Sequence, residues 1–389
     1  MRGFPSLVAQ AARAAGWLRL LPLLLLLLLV AQPSAARTDV MVPLYVYPGS
    51  QSYTNPNWQA AVDAIKANPG LHFYIIVNPN NGPLNTSDPS GLNEGYCNVA
   101  NDSYIEHGCN RDWTTHLATI NELPNAQTLG YVWTRYGARA VGDIKADIAE
   151  WAAWETAPTW EDGQSVNITI HGLWFDEVGT GSGNYSVYSE LTSYANETFA
   201  AAAKTRKKKK DKNVAYSVVL NAGSVPNATY EAQLFDMASA VVTKETCFTS
   251  DPAASGVEGD CPEPYEPFDY TALTAGNGLP HDEAYNSRAV IIVHQFVGPP
   301  NATTATLQEQ IDGVVSLGVH STYFTSGSYH NTTAEPATVG NVGEMVRIAT
   351  GANATSAAPR LGFGEQHGGS SWMSWTAAFV VFWSLYSFC

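Results

Sequence analysis

The sequence has few basic residues for its length, and this shortage narrows the partners that the chain can bind. Lys and Arg number 20 against 35 Asp and Glu, which gives a formal net charge of −15 at pH 7. A surface of that sign repels nucleic acid and tolerates or attracts a cationic polymer. We therefore expect no nucleic-acid partner.

Cysteine is also scarce, with five residues in 389. Cys389 lies at the end of an apolar tail, and the other four fall into two local pairs, Cys97/Cys109 and Cys247/Cys261. Four cysteines allow three connectivities, and the short loops favour these two local disulfides. Neither spacing resembles a zinc ribbon, so the cysteines do not indicate a metal site.

Signals for a cofactor are missing as well. No glycine-rich phosphate-binding fingerprint follows the first predicted strand, where Pro48-Gly49-Ser50 stands instead. A metal-dependent deacetylase would need a cluster of His and Asp ligands, and His171, His294 and His320 are too scattered in strand position to form one. We therefore expect neither a metal nor an organic cofactor.

Long apolar runs are confined to the two ends of the chain. Residues 1–36 contain early arginines, an apolar run at Leu20–Val30 and a small-residue cleavage site, which is typical of a secretory signal peptide. The run is shorter than the roughly 20 residues of a membrane span, although an uncleaved anchor is the alternative. Residues 352–371 form a Ser/Gly/Ala-rich linker before the apolar tail of residues 372–389, an order typical of a GPI-attachment signal. A membrane-spanning tail is the alternative there.

Glycosylation signals agree with secretion. An N-x-S/T acceptor sequence matters only in a secreted chain, and this chain has nine, at Asn85, Asn101, Asn167, Asn184, Asn196, Asn227, Asn301, Asn331 and Asn353. We expect a secreted, cell-surface protein that meets the membrane only through a lipid anchor or its C-terminal tail.

Between the two ends, apolar strand-like runs alternate with amphipathic segments, which predicts a parallel sheet flanked by helices. Eight such units in one domain, residues 37–351, predict an α/β fold, the closed (β/α)8 TIM barrel. Strands are predicted at Met41–Tyr47, Phe73–Asn78, Thr128–Trp133, Ile168–Asp176, Val214–Asn221, Ala238–Glu245, Ala289–Gln295 and Ser321–Thr325. Helices are predicted at Trp58–Ala67, Trp113–Leu123, Asp143–Trp154, Tyr185–Lys204, Tyr230–Phe235, before Ser287, at Thr306–Leu317 and at Val339–Thr350.

The fourth predicted strand, His171-Gly-Leu-Trp-Phe-Asp-Glu177, ends abruptly in two adjacent carboxylates. The C-terminal ends of barrel strands are where TIM-barrel enzymes keep their catalytic residues. Because side chains alternate along a strand, an inward Asp176 leaves Leu173 and Phe175 facing the helices, which favours Asp176 over Glu177 as the catalytic acid. The alternative is that the two acids cap the helix that follows.

Other predicted strand ends carry the groups that a sugar site needs. Polar side chains stand at Asn78, Asn221, Glu245 and His294, and aromatic ones at Tyr45, Tyr47, Tyr131, Trp133 and Tyr323. Aromatic faces stack on sugar rings, and amides satisfy the hydroxyl groups. Taken singly, His294 in an apolar strand is more often a core histidine than a site residue. Together with two acids, the set predicts hydrolysis of a glycosidic bond.

Four motifs, in order and in register, resemble the spherulin-4 family: Val42-Pro-Leu-Tyr-Val-Tyr-Pro48, Ile75-Ile-Val-Asn-Pro-Asn-Asn-Gly-Pro83, Leu129-Gly-Tyr-Val-Trp-Thr-Arg-Tyr-Gly137 and Gly172-Leu-Trp-Phe-Asp-Glu177. That resemblance implies a barrel like that of secreted fungal glycoside hydrolases, which cut α-1,4-linked N-acetylgalactosamine in galactosaminogalactan. It also implies that the essential acids are Asp176, Glu177 and Glu245. One departure is that Thr243-Lys244 precedes Glu245, where the family has apolar residues.

These observations lead to a hypothesis of an endo-acting glycoside hydrolase on an extracellular or cell-wall polysaccharide. Asp176 would be the nucleophile or charge stabiliser, Glu245 the general acid/base, and Glu177 would tune the pair. Retaining, inverting and substrate-assisted mechanisms all stay open. The alternative is a non-catalytic glycan-binding wall or matrix protein built on the same barrel.

Overall fold

Eight parallel strands close into a barrel in the computed structural model, which describes residues 37–50, 52–79, 81–83, 108–158, 164–206, 216–248, 268–298, 301–328 and 330–352. Each strand pairs with the next along the chain, and the first pairs with the last. The strands are β1 (Asp39–Leu44), β2 (Phe73–Val77), β3 (Ala126–Trp133), β4 (Gly172–Asp176), β5 (Ser217–Asn221), β6 (Ala240–Cys247), β7 (Ala289–His294) and β8 (Ser321–Phe324).

Helices alternate with the strands, and three of them begin with a side-chain cap. The side chains of Asn55, Thr303 and Thr338 each accept a hydrogen bond from a backbone N–H of the first helical turn. The helices are α1 (Pro56–Ala67), α2 (Gly108–Asn121), α3 (Val141–Ala153), α4 (Tyr185–Arg206), α5 (Glu231–Asp236), α6 (Thr304–Ser316) and α7 (Val339–Ala349).

The predicted (β/α)8 barrel is confirmed, with differences at the element boundaries. β1 ends at Leu44, three residues before the predicted end. The predicted start of the fourth strand at Ile168 is wrong, because β4 begins only at Gly172 and residues 168–171 connect it to a separate hairpin, in which Ser165–Asn167 pairs with Thr156–Pro158. The helix predicted before Ser287 is a 3₁₀ helix, Glu283–Arg288.

Glycine allows one of the closest contacts between the barrel and a helix. Gly130 lies on β3, and a Cβ atom built there would lie 2.6 Å from the indole ring of Trp151 on α3. That indole cannot retreat, because it is fully buried and its Nε1 donates a 2.8 Å hydrogen bond to the carbonyl of Tyr131. Tertiary packing therefore requires glycine in a position where strand propensity disfavours it.

We expect Gly130→Ala to lower the free energy of unfolding by about 2 kcal/mol or more, because over-packing a tight core forces strained rotamers and backbone shifts. Gly142→Ala is the matched control on α3, since nothing lies within 4 Å of its new methyl group. That control should be neutral or stabilise by roughly 0.5 kcal/mol, because alanine favours a helix over glycine. Denaturant unfolding of the two variants distinguishes the cases, and equal stabilities would contradict this packing account.

The two predicted disulfides are described only in part. Cys109 was expected in the loop after the second strand, but it lies in the first turn of α2, because that helix begins at Gly108 and not at the predicted Trp113. Its side chain lies outside the described part of the chain, as does the whole of Cys97, so the pairing of Cys97 with Cys109 stays a prediction.

The second cysteine pair is half described. Cys247, at the end of β6, is disulfide-bonded, which agrees with its predicted role. Cys261 lies outside the described residues, so its pairing with Cys247 also stays a prediction.

The two ends of the chain also lie wholly or largely outside the described residues. They hold the signal peptide (residues 1–36), the linker (residues 352–371, described only at residue 352) and the C-terminal tail (residues 372–389). Within the described ranges, no helix is both long enough and apolar enough to cross a membrane.

Candidate active site

Asp176 ends β4, and the two strands beside it supply its partners. The Tyr131 hydroxyl on β3 donates a 2.7 Å hydrogen bond to Asp176 Oδ2, and Asn221 Nδ2 on β5 donates a 2.6 Å bond to Oδ1. The sheet register makes this possible, because Trp133 pairs with Asp176 and Leu220 pairs with Phe175, one residue before it. Each oxygen of the carboxylate is thus held by a donor from a neighbouring strand.

Glu245 reaches the same place because β6 carries a β-bulge. Val242 pairs with Asn221, but the register shifts between Val242 and Lys244. Without that shift, strict alternation would point Lys244 to the side of Asn221 and turn Glu245 away. The extra residue, Thr243, instead donates a 2.7 Å hydrogen bond to the carbonyl of Gly278. The bulge at Thr243-Lys244 therefore turns the carboxylate of Glu245 toward the site.

One amide nitrogen joins the two acids. Asn221 Nδ2 lies 2.6 Å from Asp176 Oδ1 and 2.8 Å from Glu245 Oε2. These two oxygens can therefore be no further apart than the two distances together, about 5.4 Å. This bound concerns one oxygen of each acid, whereas the distances of about 5–5.5 Å in retaining glycoside hydrolases and roughly 6.5–9.5 Å in inverting ones refer to whole carboxyl groups.

The two carboxyl groups differ in how well their ionised forms are stabilised. Burial raises the pKa of Asp176, and the charge of Glu177 raises it further, while hydrogen bonds from Tyr131, Asn221 and the Glu177 amide lower it. Burial and the charge of Asp176 raise the pKa of Glu245 to about 7, and its bond from Asn221 lowers it. Asp176 has more donors, so it is the group that stays ionised while Glu245 holds a proton.

Glu177 follows in a strained turn. Its φ of 53° is left-handed, a conformation that costs a non-glycine residue of order 1 kcal/mol or more and that neighbouring contacts must hold. Trp133 Nε1 donates a 2.7 Å hydrogen bond to Glu177 Oε2, and the Tyr136 amide donates a 2.6 Å bond to the Glu177 carbonyl. The helix-capping alternative for the acid pair does not hold, because α4 begins only at Tyr185.

An exposed aromatic ring stands beside the acids. Tyr136 is 64% exposed, although Thr134, two residues before it, is fully buried. Burial raises the pKa of its phenol, and so do the charges of Glu177, Asp176 and Glu245, while its backbone amide is hydrogen-bonded to the Glu177 carbonyl. Tyr45 adds a second aromatic side chain nearby, with its ring 5.3 Å from that of Tyr131 in an edge-to-face contact. These rings could stack against a sugar.

Of the predicted site residues, the structure brings Tyr45, Tyr131, Asp176, Asn221 and Glu245 into one chain of contacts, with Glu177 adjoining it. Asn78 is 5% exposed, and its Oδ1 has no hydrogen-bond partner among the described residues.

Three other predicted site residues, Tyr47, His294 and Tyr323, are not part of this chain of contacts. Tyr47 is hydrogen-bonded to Asp112 on α2. Tyr323 is fully buried, and His294 is 2% exposed with its Nδ1 3.4 Å from Cys247 Sγ. Burial lowers the pKa of His294 to about 4, so this residue fits the core-histidine interpretation better than a sugar contact.

Two residues that support the acids were not predicted. The Thr134 hydroxyl lies 2.7 Å and 2.8 Å from the carbonyl oxygens of Asp176 and Glu177. The Tyr188 hydroxyl on α4 lies 3.2 Å from that hydroxyl and accepts a 2.8 Å hydrogen bond from the Gly179 amide. Thr134 directly follows the aromatic end of β3, which was a usable signal, whereas nothing in the sequence connects Tyr188 to the site.

Metal ligation has no geometric support in the part of the chain that the structure describes. No group of three or more His, Cys, Asp or Glu side chains there is arranged to hold a metal ion. The acids are instead paired with neutral hydrogen-bond donors, an arrangement suited to proton transfer and nucleophilic attack.

Comparison with solved structures supports the barrel. Sph3 of Aspergillus clavatus, solved in complex with GalNAc, is 20% identical, and the match covers 82% of this chain and all of that one with a TM-score of 0.50. A chitinase of Ipomoea carnea is 9% identical over 80% of this chain and 99% of that one, with a TM-score of 0.38. At 20% identity, the likeness to Sph3 concerns the fold alone.

Sequence comparison identifies the family. Spherulin-4 of Physarum polycephalum is 27% identical over 203 residues, which are 52% of this chain and 44% of that protein, so the match spans less than half of the relative's length. The profile described as "Spherulation-specific family 4" matches residues 39–342, from the first residue of β1 into α7. The chain therefore belongs to spherulation-specific family 4, the spherulin-4 family that the four sequence motifs indicated.

Proposed function

We propose that this chain is a retaining, endo-acting glycoside hydrolase that cleaves a polysaccharide containing α-1,4-linked N-acetylgalactosamine. The observation that carries the proposal is the pair of carboxylates, Asp176 and Glu245, held by one nitrogen of Asn221. Two acids that share one hydrogen-bond donor, one ionised and one protonated near neutral pH, supply the nucleophile and the general acid that this reaction needs.

In the first step, an oxygen of Asp176 attacks the anomeric carbon while Glu245 gives its proton to the glycosidic oxygen. The bond from C1 to that oxygen breaks, the leaving sugar departs with a new hydroxyl group, and the remaining sugar is esterified to Asp176. In the second step, Glu245, now ionised, takes a proton from water, and the water oxygen displaces Asp176 from C1. Two displacements restore the α configuration.

The linkage argues against attack by the substrate's own acetamido group. In an α-linked 2-acetamido sugar of the galactose series, that group lies on the same face of the ring as the leaving oxygen. It therefore cannot approach the anomeric carbon from the rear. An enzyme carboxylate has to do so, and Asp176, with its three donors holding the ionised form, is suited to that role.

The substrate class rests on two supports outside the acid pair. The structurally similar Sph3 was crystallised with GalNAc, the monomer of the proposed polymer. Tyr136 and Tyr45 provide aromatic surfaces next to the acids, as binding of a sugar ring requires. We propose that these two rings hold the sugars on either side of the cleaved bond.

We further propose that the protein works outside the cell, attached to the surface by a GPI anchor. The apolar segments at the two ends of the chain and the nine sequons support this location. Release of the protein from intact cells by a phosphatidylinositol-specific phospholipase C tests the anchor. Retention after treatment would favour a membrane-spanning tail.

The same barrel could serve a protein that binds glycan without cutting it, and one experiment separates the two functions. Purified protein is incubated with a panel of polysaccharides that includes galactosaminogalactan, and both bound polymer and released oligosaccharides are measured. The proposal expects oligosaccharides of several lengths from the galactosamine polymer and none from chitin or galactan. Binding of that polymer without any products would overturn the hydrolase in favour of the binding protein.

The pH dependence should report on Glu245. The general acid must be protonated, and the pKa of this carboxyl is raised to about 7, so kcat/KM should fall about tenfold per pH unit above neutrality. At lower pH the rate should fall again as Asp176, whose pKa is also raised, becomes protonated. A steady-state pH profile on the galactosamine polymer measures both limbs. A rate that stays flat from pH 6 to pH 9 would remove Glu245 from the role of acid.

A further inference from the structure

The side chain of Asn221 uses its hydrogen-bonding groups within the protein, so none of its donors is left for a substrate. It ends β5, and its side chain is 7% exposed. Its Nδ2 has two hydrogens and two acceptors, Asp176 Oδ1 at 2.6 Å and Glu245 Oε2 at 2.8 Å. Both donors of the amide are therefore already used by the two acids.

The other end of the same amide is fixed as well. The Gly223 backbone N–H donates a 3.1 Å hydrogen bond to Asn221 Oδ1. Rotating the amide by 180° would place its oxygen against two carboxylates and its NH₂ group against that backbone donor. The orientation of the amide group of Asn221 is therefore determined by the hydrogen-bond partners around it.

We propose that Asn221 is a positioning residue, which holds Asp176 and Glu245 at their working separation and presents a donor to both throughout the reaction. This inference rests on the proposed function for its kinetic consequences, but the geometry that it describes exists in the free protein. Asn221 is then not a substrate contact, which was its predicted role.

Two carboxyl groups this close repel when both are ionised, and without a donor between them they would share a proton directly. A hydrogen bond to an ionised group is among the strongest in proteins. Its loss therefore favours the protonated forms of both acids. The backbone contribution of Asn221 is separate, because its carbonyl accepts the Val178 amide at 2.8 Å whatever the side chain is.

The test compares Asn221→Ala and the nearly isosteric Asn221→Asp with wild type, and uses Gln59→Ala as a control that removes an exposed amide side chain on α1. The first measurement is the pKa of Glu245 by ¹³C NMR of protein labelled at the glutamate carboxyl, with the signal assigned by its loss in Glu245→Gln. We expect that pKa to rise by roughly one pH unit in Asn221→Ala, and further in Asn221→Asp, where a third carboxylate is added. Gln59→Ala should leave the pKa of Glu245 unchanged.

The second measurement is the pH profile of kcat and KM on the galactosamine polymer. A positioning role predicts that kcat falls roughly 10–100-fold with little change in KM, and that the alkaline limb moves upward together with the NMR pKa. A higher KM with an unchanged Glu245 pKa would overturn the proposal and make Asn221 a substrate contact. If the pKa of Glu245 shifts in the Asn221 variants but even the wild type shows no turnover, the positioning proposal stands and the hydrolase is contradicted instead. If Asn221→Ala does not fold, Asn221→Asp decides by the same two measurements.

Discussion

Asp176→Asn is expected to reduce kcat/KM by roughly 10³–10⁵-fold, because the proposed mechanism has no other group to attack the anomeric carbon. The substitution keeps the size of the side chain, and the amide oxygen can still accept the bond from Tyr131 or Asn221. Loss of activity would therefore reflect lost nucleophilicity more than lost structure. Initial rates of reducing-end release from the galactosamine polymer give the measurement.

Asp63→Asn is the matched control, because Asp63 is an exposed residue of α1 that accepts a hydrogen bond from Gln59 in the same helix. It should retain wild-type rates. Chemical rescue sharpens the result: with Asp176→Gly and an α-aryl galactosaminide, added azide should occupy the vacated space and give a β-glycosyl azide. A variant of Asp176 with more than a tenth of wild-type activity would contradict its role as nucleophile.

Glu245→Gln is expected to lower turnover of the polymer by roughly 10²–10⁴-fold, the usual contribution of general acid–base catalysis. The loss should be much smaller on substrates whose leaving groups need no proton, such as a glycosyl fluoride, as long as formation of the glycosyl-enzyme limits the rate. Comparing the two substrate types isolates the acid step. Equal losses on both would show that the substitution disturbs the site in general.

The same variant should be more stable than wild type in alkaline solution. The folded-state pKa of Glu245 is raised to about 7 from an ordinary value of 4.5, so its stabilising contribution is fully present below pH 4.5 and is lost as the pH rises through 7. A neutral glutamine avoids this loss. We expect Glu245→Gln to gain about 2 kcal/mol over wild type at pH 8 and nothing at pH 4.

Denaturant unfolding at pH 4 and pH 8 measures that gain without any need for activity. The matched control is Glu190→Gln, which removes an exposed ion pair with Lys145 and should change stability by less than about 1 kcal/mol at either pH. A Glu245→Gln protein that is less stable than wild type at pH 8 would mean that the fold stabilises the ionised carboxylate of Glu245, contrary to the raised pKa on which its proposed role as an acid depends.

The fold was predictable because its signals are local and repeated. Eight apolar runs separated by amphipathic segments predict parallel strands with helices between them, and the structure has eight strands in one barrel. The boundaries were less accurate, since the alternating apolar residues Ile168 and Ile170 suit both a barrel strand and the connection that they form between the hairpin strand Ser165–Asn167 and β4. Only pairing partners elsewhere in the chain distinguish those two outcomes.

The site was predictable residue by residue, but its connections were not. A strand that ends in Asp176 and Glu177 is visible in the sequence, and so is an acid on the sixth strand. The bulge at Thr243 is not visible, and neither is the bridge that Asn221 makes between two acids 69 residues apart in the chain. Both depend on register and on side-chain direction, which are properties of paired strands and not of single segments.

His294 was wrongly included in the predicted site, and Tyr136 was wrongly left out of it. The sequence favoured His294 because it ends an apolar strand, yet that residue is enclosed beside Cys247. It did not single out Tyr136, whose φ of 52° in a turn held by Glu177 brings its ring out beside the acids. A left-handed turn in non-glycine residues has no reliable sequence signal.

The most direct test of the account follows the polymer reaction by ¹H NMR from its first minutes, with wild-type protein and Asp176→Asn side by side. The account predicts that the wild type releases reducing ends whose anomeric signals are α first and equilibrate to β later, whereas the variant releases none at the same protein concentration. Release of β anomers first would contradict the retaining pair of Asp176 and Glu245. Reducing ends released equally by both proteins would contradict the account as a whole.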